Sequence, residues 1–171
     1  KIVCLIVRVS AYLDRYRELT TRDFNYHSFR DGNIDNYILA AEELASRGYY
    51  VFRMGAKVKK PLKSENAKVI DYANSKMRSD FMDIFLGAKC EYCISTSTGF
   101  DAIPTIFRKP NIFITVPIGY IYTFSKNFLS ITKHHISIKD GHELSLDEIF
   151  DHDVAYSLAS KDYKENGVYL V

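Results

Sequence analysis

The segment Cys93-Ile94-Ser95-Thr96-Ser97-Thr98-Gly99-Phe100-Asp101-Ala102-Ile103-Pro104 constrains the chain more than any other. An apolar strand runs directly into four hydroxyl residues, then a glycine, then the start of a helix. A turn of that kind gathers backbone N–H groups, small hydroxyls and a positive helix N-terminus around one point, which suits an anion such as phosphate. It also requires a parallel strand behind it, so the remaining sequence is read for repeated strand–helix units.

Such units are present. Ile2 to Val7 is an apolar strand, and Ser10 to Asn33 is a long polar and aromatic connection with a helical turn or two around Leu13 to Leu19. A helix from about Ile34 to Arg47 follows the 3.6-residue period, with Asn33 or Asp35 able to cap it and Gly48 ending it. Strands are expected at Tyr49–Arg53, Lys68–Asp71, Cys90–Ile94 and Asn111–Val116. Helices are expected at about Ser79–Leu86, from the hydroxyl turn to Phe107, and at Ser145–Phe150, with a last extended piece at Val168–Val171. Strands alternating with helices predict an α/β, Rossmann-like fold with a mostly parallel, doubly wound sheet. The 171 residues fit a single domain, with 118–171 as a peripheral C-terminal extension of it. The chain opens inside a strand and without a methionine, and is expected to be a piece of a longer polypeptide.

Composition narrows the partners. A formal net charge of +2 is far from the basic excess of a nucleic-acid binder, so an anion site must come from local placement of arginines. The sequence has no run of about 18 apolar residues that would mark a membrane-spanning helix. The three cysteines make one C-x-x-C, too few ligands for zinc; they are expected as reduced packing residues, with Cys90 and Cys93 on opposite strand faces, in a cytoplasmic protein. Asp151-His152-Asp153 follows a helix rather than a strand end, and no metal is expected there.

Ligands of doubly wound sheets bind beyond the carboxyl ends of the strands. Strand one ends at Arg8, whose guanidinium suits bidentate grip of a diphosphate. Strand two ends at Arg53, beside the tight-turn residue Gly55. Ser95, Thr96, Ser97, Thr98 and Gly99 form the anion-shaped turn, and Asp101 either bonds a ligand hydroxyl or caps the helix. The segment Tyr26 to Tyr37 places His27 and Arg30 before a helix; Arg30 could clamp an anion, and His27 is the imidazole available as a base. Plain N-capping with a turn at Asp31-Gly32 explains that segment equally well. Lys57 to Lys63 reads as a solvated basic loop. The hydroxyl turn lacks both the Walker ending and the G-x-G-x-x-G spacing.

Three stretches carry a family resemblance: YHSFRDGNIDNYILAAEELASRGYYVFRMG (26–55), DYANSKMRSDFMDIFLGAKCEYCISTSTGFDAIPTIFRKPNIFI (71–114), and FSKNFLSITKH with LSLDEIF in the tail. They resemble bacterial glycosyltransferase-like proteins of surface-polysaccharide and lipopolysaccharide O-antigen gene clusters. VRVSAY (7–12) is similar to that group's H-V-R-D-S-A-Y, with Val9 in place of the acidic residue, so no carboxylate role carries over there. The resemblance implies one half of a glycosyltransferase-B fold that binds a nucleotide-sugar donor, distantly similar to fucosyltransferases. On that analogy Arg8 takes the diphosphate, Ser95 to Gly99 contact phosphate or base, and His27, Arg30 and Arg53 line the cleft. It further implies no metal cofactor, a glycan or lipid-linked acceptor, an N-terminal Rossmann-like half of the same protein as partner, and association of the full-length protein with a membrane surface. A non-catalytic nucleotide-binding or assembly module is the alternative. A phosphatase-like protein would need an aspartate after strand one, where Val9 and Ser10 stand.

Overall fold

The computed structural model describes residues 1–17, 25–121 and 126–171. The parts of the expectations above that fall on 18–24 and 122–125, including Leu19 and Phe24, lie outside the described residues. In chain order the strands are β1 (Ile2–Ile6), β2 (Tyr50–Arg53), β3 (Val69–Ile70), β4 (Tyr92–Ser95), β5 (Asn111–Val116), β6 (Phe128–Thr132), β7 (His135–Ser137) and β8 (Val168–Leu170). The α-helices are α1 (Ala11–Arg17), α2 (Ile38–Ser46), α3 (Asp80–Lys89), α4 (Ala102–Ile106), α5 (Leu146–Asp151) and α6 (Ser160–Glu165). Short 3-10 turns at Asn25–Arg30, Ile34–Tyr37 and Gly99–Asp101 prepare the chain around the sheet.

Six strands form one sheet in the order β3-β2-β1-β4-β5-β6, and every pair in it is parallel. The fold is therefore α/β and Rossmann-like. Side chains of β1 alternate between two cores, as a strand covered on both faces requires. Val3, Leu5 and Val7 pack with Ile34, Tyr37 and Ala41 from the α2 side. Cys4 and Ile6 pack with Met54, Tyr72 and Leu86 from the α3 side. The sequence path moves one way from β1 through β2 to β3, then returns to β4 on the other side of β1. That reversal leaves a crevice beyond the ends of β1 and β4.

Local chemistry explains most element ends. Ser79 caps α3 by accepting the Met82 N–H at 3.2 Å, and Ser145 and Glu148 form a reciprocal capping box at α5. α3 runs three residues further than the sequence pattern suggested, to Lys89, so Cys90 is its C-cap and not part of β4. That corrects the placing of Cys90 and Cys93 on opposite strand faces: with Cys4, both lie in one buried cluster of free thiols.

Residues 118–171, expected as a peripheral extension, supply β6 to the main sheet and a small unit of their own. In that unit β7 and β8 pair antiparallel, and Leu144, Ile149, Val154, Tyr163 and Val168 form its core. It meets the sheet at the turn after β5, where Gly119 approaches the backbone of Ala155 and Tyr156. A Cβ on Gly119 would stand 2.8 Å from the Ala155 carbonyl oxygen and 3.0 Å from Tyr156 Cα. Gly119→Ala should therefore destabilise the fold by about 1–3 kcal/mol, read as a lower urea midpoint with an unchanged denaturant slope.

Candidate functional site

A cavity of about 550 Å³ opens at the crevice between the ends of β1 and β4. It is lined by Ile6 to Val9, Ser97 to Phe100 and Gly55 to Val58, together with His27 and Arg30. Tyr12, Leu13, Val58, Phe100 and Ile103 make much of the lining apolar. The one acidic residue among the described lining, Asp83, is held by Arg78 at 2.8 Å.

Arg8 organises this region. Its backbone N–H donates to Thr96 Oγ1 at 2.8 Å, and its carbonyl accepts the Gly32 N–H at 2.9 Å. Its guanidinium is ion-paired with Asp31 and also donates to the His27 carbonyl at 3.1 Å. Only 11% of the side chain is exposed. Arg8 thus lines the cavity while its principal partners are protein groups.

Arg30 reaches the same region from the 25–30 turn. Its Nη2 donates to the Ser97 carbonyl at 2.9 Å, and the guanidinium lies 4.1 Å from the centre of the Tyr120 ring. Arg30 Nε is buried without a hydrogen-bond partner. Burial, and then the nearby Arg8 charge, hold the Arg30 guanidinium below its ordinary range. His27 behaves alike: burial, followed by Arg30 and Arg8, lowers its pKa, so its imidazole is neutral near pH 7. The Arg8 charge thus acts on Arg30, and both guanidinium groups act on His27. With exposed Lys57 also in the lining, the cavity favours an anion.

The hydroxyl turn contributes differently from expectation. Buried Ser95 accepts the Ser97 N–H at 3.0 Å, Thr96 accepts from Arg8, and Ser97 Oγ donates to the Tyr120 carbonyl at 3.5 Å. The Thr98 N–H donates to Asp101 Oδ2 at 2.6 Å and the Thr98 hydroxyl to Oδ1 at 3.3 Å. The Thr96 N–H donates to the Ile6 carbonyl at 3.2 Å. These groups brace the turn itself, because buried polar atoms must find partners. Ser95 and Thr96, expected to contact a ligand, are fully buried; Asp101, expected either to bond a ligand hydroxyl or to cap the helix, is nearly buried and caps the turn with Thr98. Ser97, Thr98 and Gly99 do face the cavity. Among the described residues, and apart from Gly99's own chain neighbours and the local helix backbone, no atom lies within 4 Å of where a Cβ on Gly99 would stand, so a ligand can approach that backbone closely.

Arg53, expected to line the cleft, stands apart from this cavity. Its side chain is 1% exposed, bonded to Asp71 at 2.9 Å and to the Lys60 carbonyl at 3.3 Å, and absent from the cavity wall. β3 pairs beside β2, which brings Asp71 to the end of the strand that carries Arg53. Sequence reasoning gave Asp31 and Tyr120 no role at the site and took Lys57 first as part of a solvated loop. The signal for the first two was the surplus of guanidinium groups at the strand ends, since a buried arginine requires a carboxylate or an aromatic face.

Among the described residues, no group of three or more His, Cys, Asp or Glu side chains is placed to hold a metal ion. Among them no helix is long and apolar enough to cross a membrane. Comparisons of the chain with protein-family models, with curated proteins and with solved structures return no match.

Two measurements separate support from binding. Arg53→Ala leaves Asp71 without its buried partner and should cost about 3–5 kcal/mol of stability, measured by chemical denaturation. Asp101 is pushed by burial from 3.8 up to about 6, opposed by its bonds to Ser95 and Thr98 and by Arg30. Between about pH 4 and 6 the folded chain keeps a proton on Asp101 that the unfolded chain releases. The group's contribution to stability therefore falls as pH rises through that window. Asp101→Asn should flatten this part of the denaturation-midpoint profile against pH.

Proposed function

We propose that this chain is the donor-binding half of a nucleotide-sugar-dependent glycosyltransferase of bacterial surface-polysaccharide synthesis, one Rossmann-like half of a glycosyltransferase-B architecture. The observation that carries this reading is the meeting of Arg8, His27 and Arg30 at an open cavity on the reversal point of a parallel sheet. Doubly wound sheets bind nucleotides at such points. The mix of apolar wall and basic rim suits a nucleoside diphosphate: a base or sugar against Tyr12, Leu13 and Phe100, and the phosphates toward Arg30 and Lys57. The resemblance in 26–55 and 71–114 points to the same chemistry.

In this reading an acceptor hydroxyl attacks the anomeric carbon, the carbon–oxygen bond to phosphate breaks, and the nucleoside diphosphate leaves with the bonding pair. Neutral His27 is the group on the rim able to take the acceptor's proton. Arg30 and Lys57 stabilise charge on the departing diphosphate, and Arg8 positions His27 through its carbonyl. Preorganised donors of this kind each contribute on the order of 3–4 kcal/mol to the transition state. The second half of the fold would bring the acceptor, a glycan or a lipid-linked one.

Calorimetry with UDP, GDP, CMP and their sugars tests the reading. One nucleoside phosphate should bind, inorganic pyrophosphate should compete, and Arg30→Ala should weaken binding about 10–100-fold by removing a charge-assisted contact. Absence of binding across the panel, or binding indifferent to Arg30→Ala, would refute it.

A further inference from the structure

Ser160, the first residue of α6, spends its whole hydrogen-bonding capacity on a segment 131–134 residues away in sequence. Its hydroxyl donates to the Tyr26 carbonyl at 3.1 Å, accepts the Phe29 N–H at 3.2 Å and lies 2.9 Å from the Ser28 hydroxyl. A serine hydroxyl offers one donor and two acceptor sites. With its proton on Tyr26 it accepts from Phe29 and Ser28, and all three sites are filled. Tyr26 and Ser28 flank His27, and Phe29 precedes Arg30. One side chain of the C-terminal unit thus fixes the neighbours of two basic residues of the cavity, although no α6 residue is in the described lining.

We infer, on the reading of the cavity given above, that Ser160 is a positioning residue for it. Acting through the 25–30 turn, it holds the Arg30 guanidinium and the His27 imidazole where a ligand meets them. Anion binding is thereby linked to the docking of α6.

The turn needs such support. A 3-10 element has poorer internal hydrogen-bond geometry than an α-helix, so contacts from outside define where it sits. Arg8 supplies one, through the His27 carbonyl at 3.1 Å, and Ser160 supplies three more. Phe29 meets the rings of Tyr120 at 5.5 Å and Tyr163 at 5.1 Å, the second of them on α6 itself. The Tyr120 ring also faces the Arg30 guanidinium at 4.1 Å, and its hydroxyl donates to the Leu158 carbonyl at 3.3 Å. The turn that carries Arg30 and the ring that faces Arg30 are therefore both tied to residues 158–160. Displacing α6 would disturb both at once. By linkage the effect is reciprocal: a ligand that requires Arg30 in place favours docked α6 by the same factor.

His27 reports on this without any ligand. Burial, then Arg30 and Arg8, lower its pKa, and the Tyr26 and Tyr120 rings face it at 3.7 and 6.4 Å. Ser160→Ala removes the three bonds and should move the His27 titration, followed by proton NMR, up toward its ordinary 6.5. Ser160→Thr keeps a hydroxyl and should restore the unaltered titration. Calorimetry with inorganic pyrophosphate, at a temperature where dichroism shows every variant folded, should find affinity weakened about 2–30-fold in Ser160→Ala and recovered in Ser160→Thr. In the unaltered chain, pyrophosphate should slow amide exchange in α6. Identical His27 titration in Ser160→Ala and the unaltered chain, pyrophosphate bound equally by both, or pyrophosphate bound without slower exchange in α6 would each overturn the inference. If the unaltered chain binds no pyrophosphate, the anion reading of the cavity falls, and the His27 titration still decides the role of Ser160.

Discussion

The candidate site depends on Arg8. Standing just past the end of a central parallel strand, Arg8 bonds both to Thr96 after β4 and to the 27–32 segment. Its ion pair with Asp31 fixes the turn from which Arg30 projects. Gly32 belongs to the same constraint, since a Cβ there would stand 2.8 Å from Val7 Cγ1. Three segments distant in sequence are thereby brought to one point. The organising arginine is consequently not the one with most capacity left for a ligand; that is Arg30.

A second theme is how basic groups are accommodated inside a chain of nearly balanced charge. Arg53 is neutralised by Asp71 and buried, which stabilises the fold without offering charge to solvent. Arg8 is half way, paired with Asp31 yet still on the cavity wall. Arg30 has a carbonyl and an aromatic face, with Asp101 and Asp31 acting only at longer range. A carbonyl and a ring are weak compensation for a guanidinium held beside another. An anion in the cavity would supply what is missing, and it would also lift the penalty on protonating His27.

The architecture was legible in the sequence because β1, β2, β4 and β5 are short apolar runs between clear helix signals. The strand-end rule then located the crevice. What was not legible was which partner each polar group would take. Ser95 and Thr96 read as ligand contacts, yet they bond to Ser97 and Arg8, and only the paired strands and the folded-back turn reveal it. Arg53 reads like Arg8 from its position, and the difference is the neighbouring strand β3 with Asp71. β6 and α6 escaped for another reason. β6 is an edge strand whose Leu129 and Ile131 are exposed, and α6 buries Tyr163 alone among its six residues, so neither shows a periodic apolar face.

The C-terminal unit completes the site from outside the sheet. Ser160 Oγ accepts the Phe29 N–H at 3.2 Å and donates to the Tyr26 carbonyl at 3.1 Å, while Phe29 packs between the rings of Tyr120 and Tyr163. The segment bearing His27 and Arg30 is therefore held at one end by Arg8 and at the other by α6. Ser97, whose carbonyl receives Arg30, adopts a left-handed φ of 63°, a conformation unfavourable for serine. Strain at one residue persists where its surroundings over-determine it. Here Ser95 holds the Ser97 amide, Arg30 its carbonyl and Tyr120 its hydroxyl. With the turn and the rim fixed in advance, a ligand entering the cavity need not order them, which is how a small number of contacts can yield useful affinity.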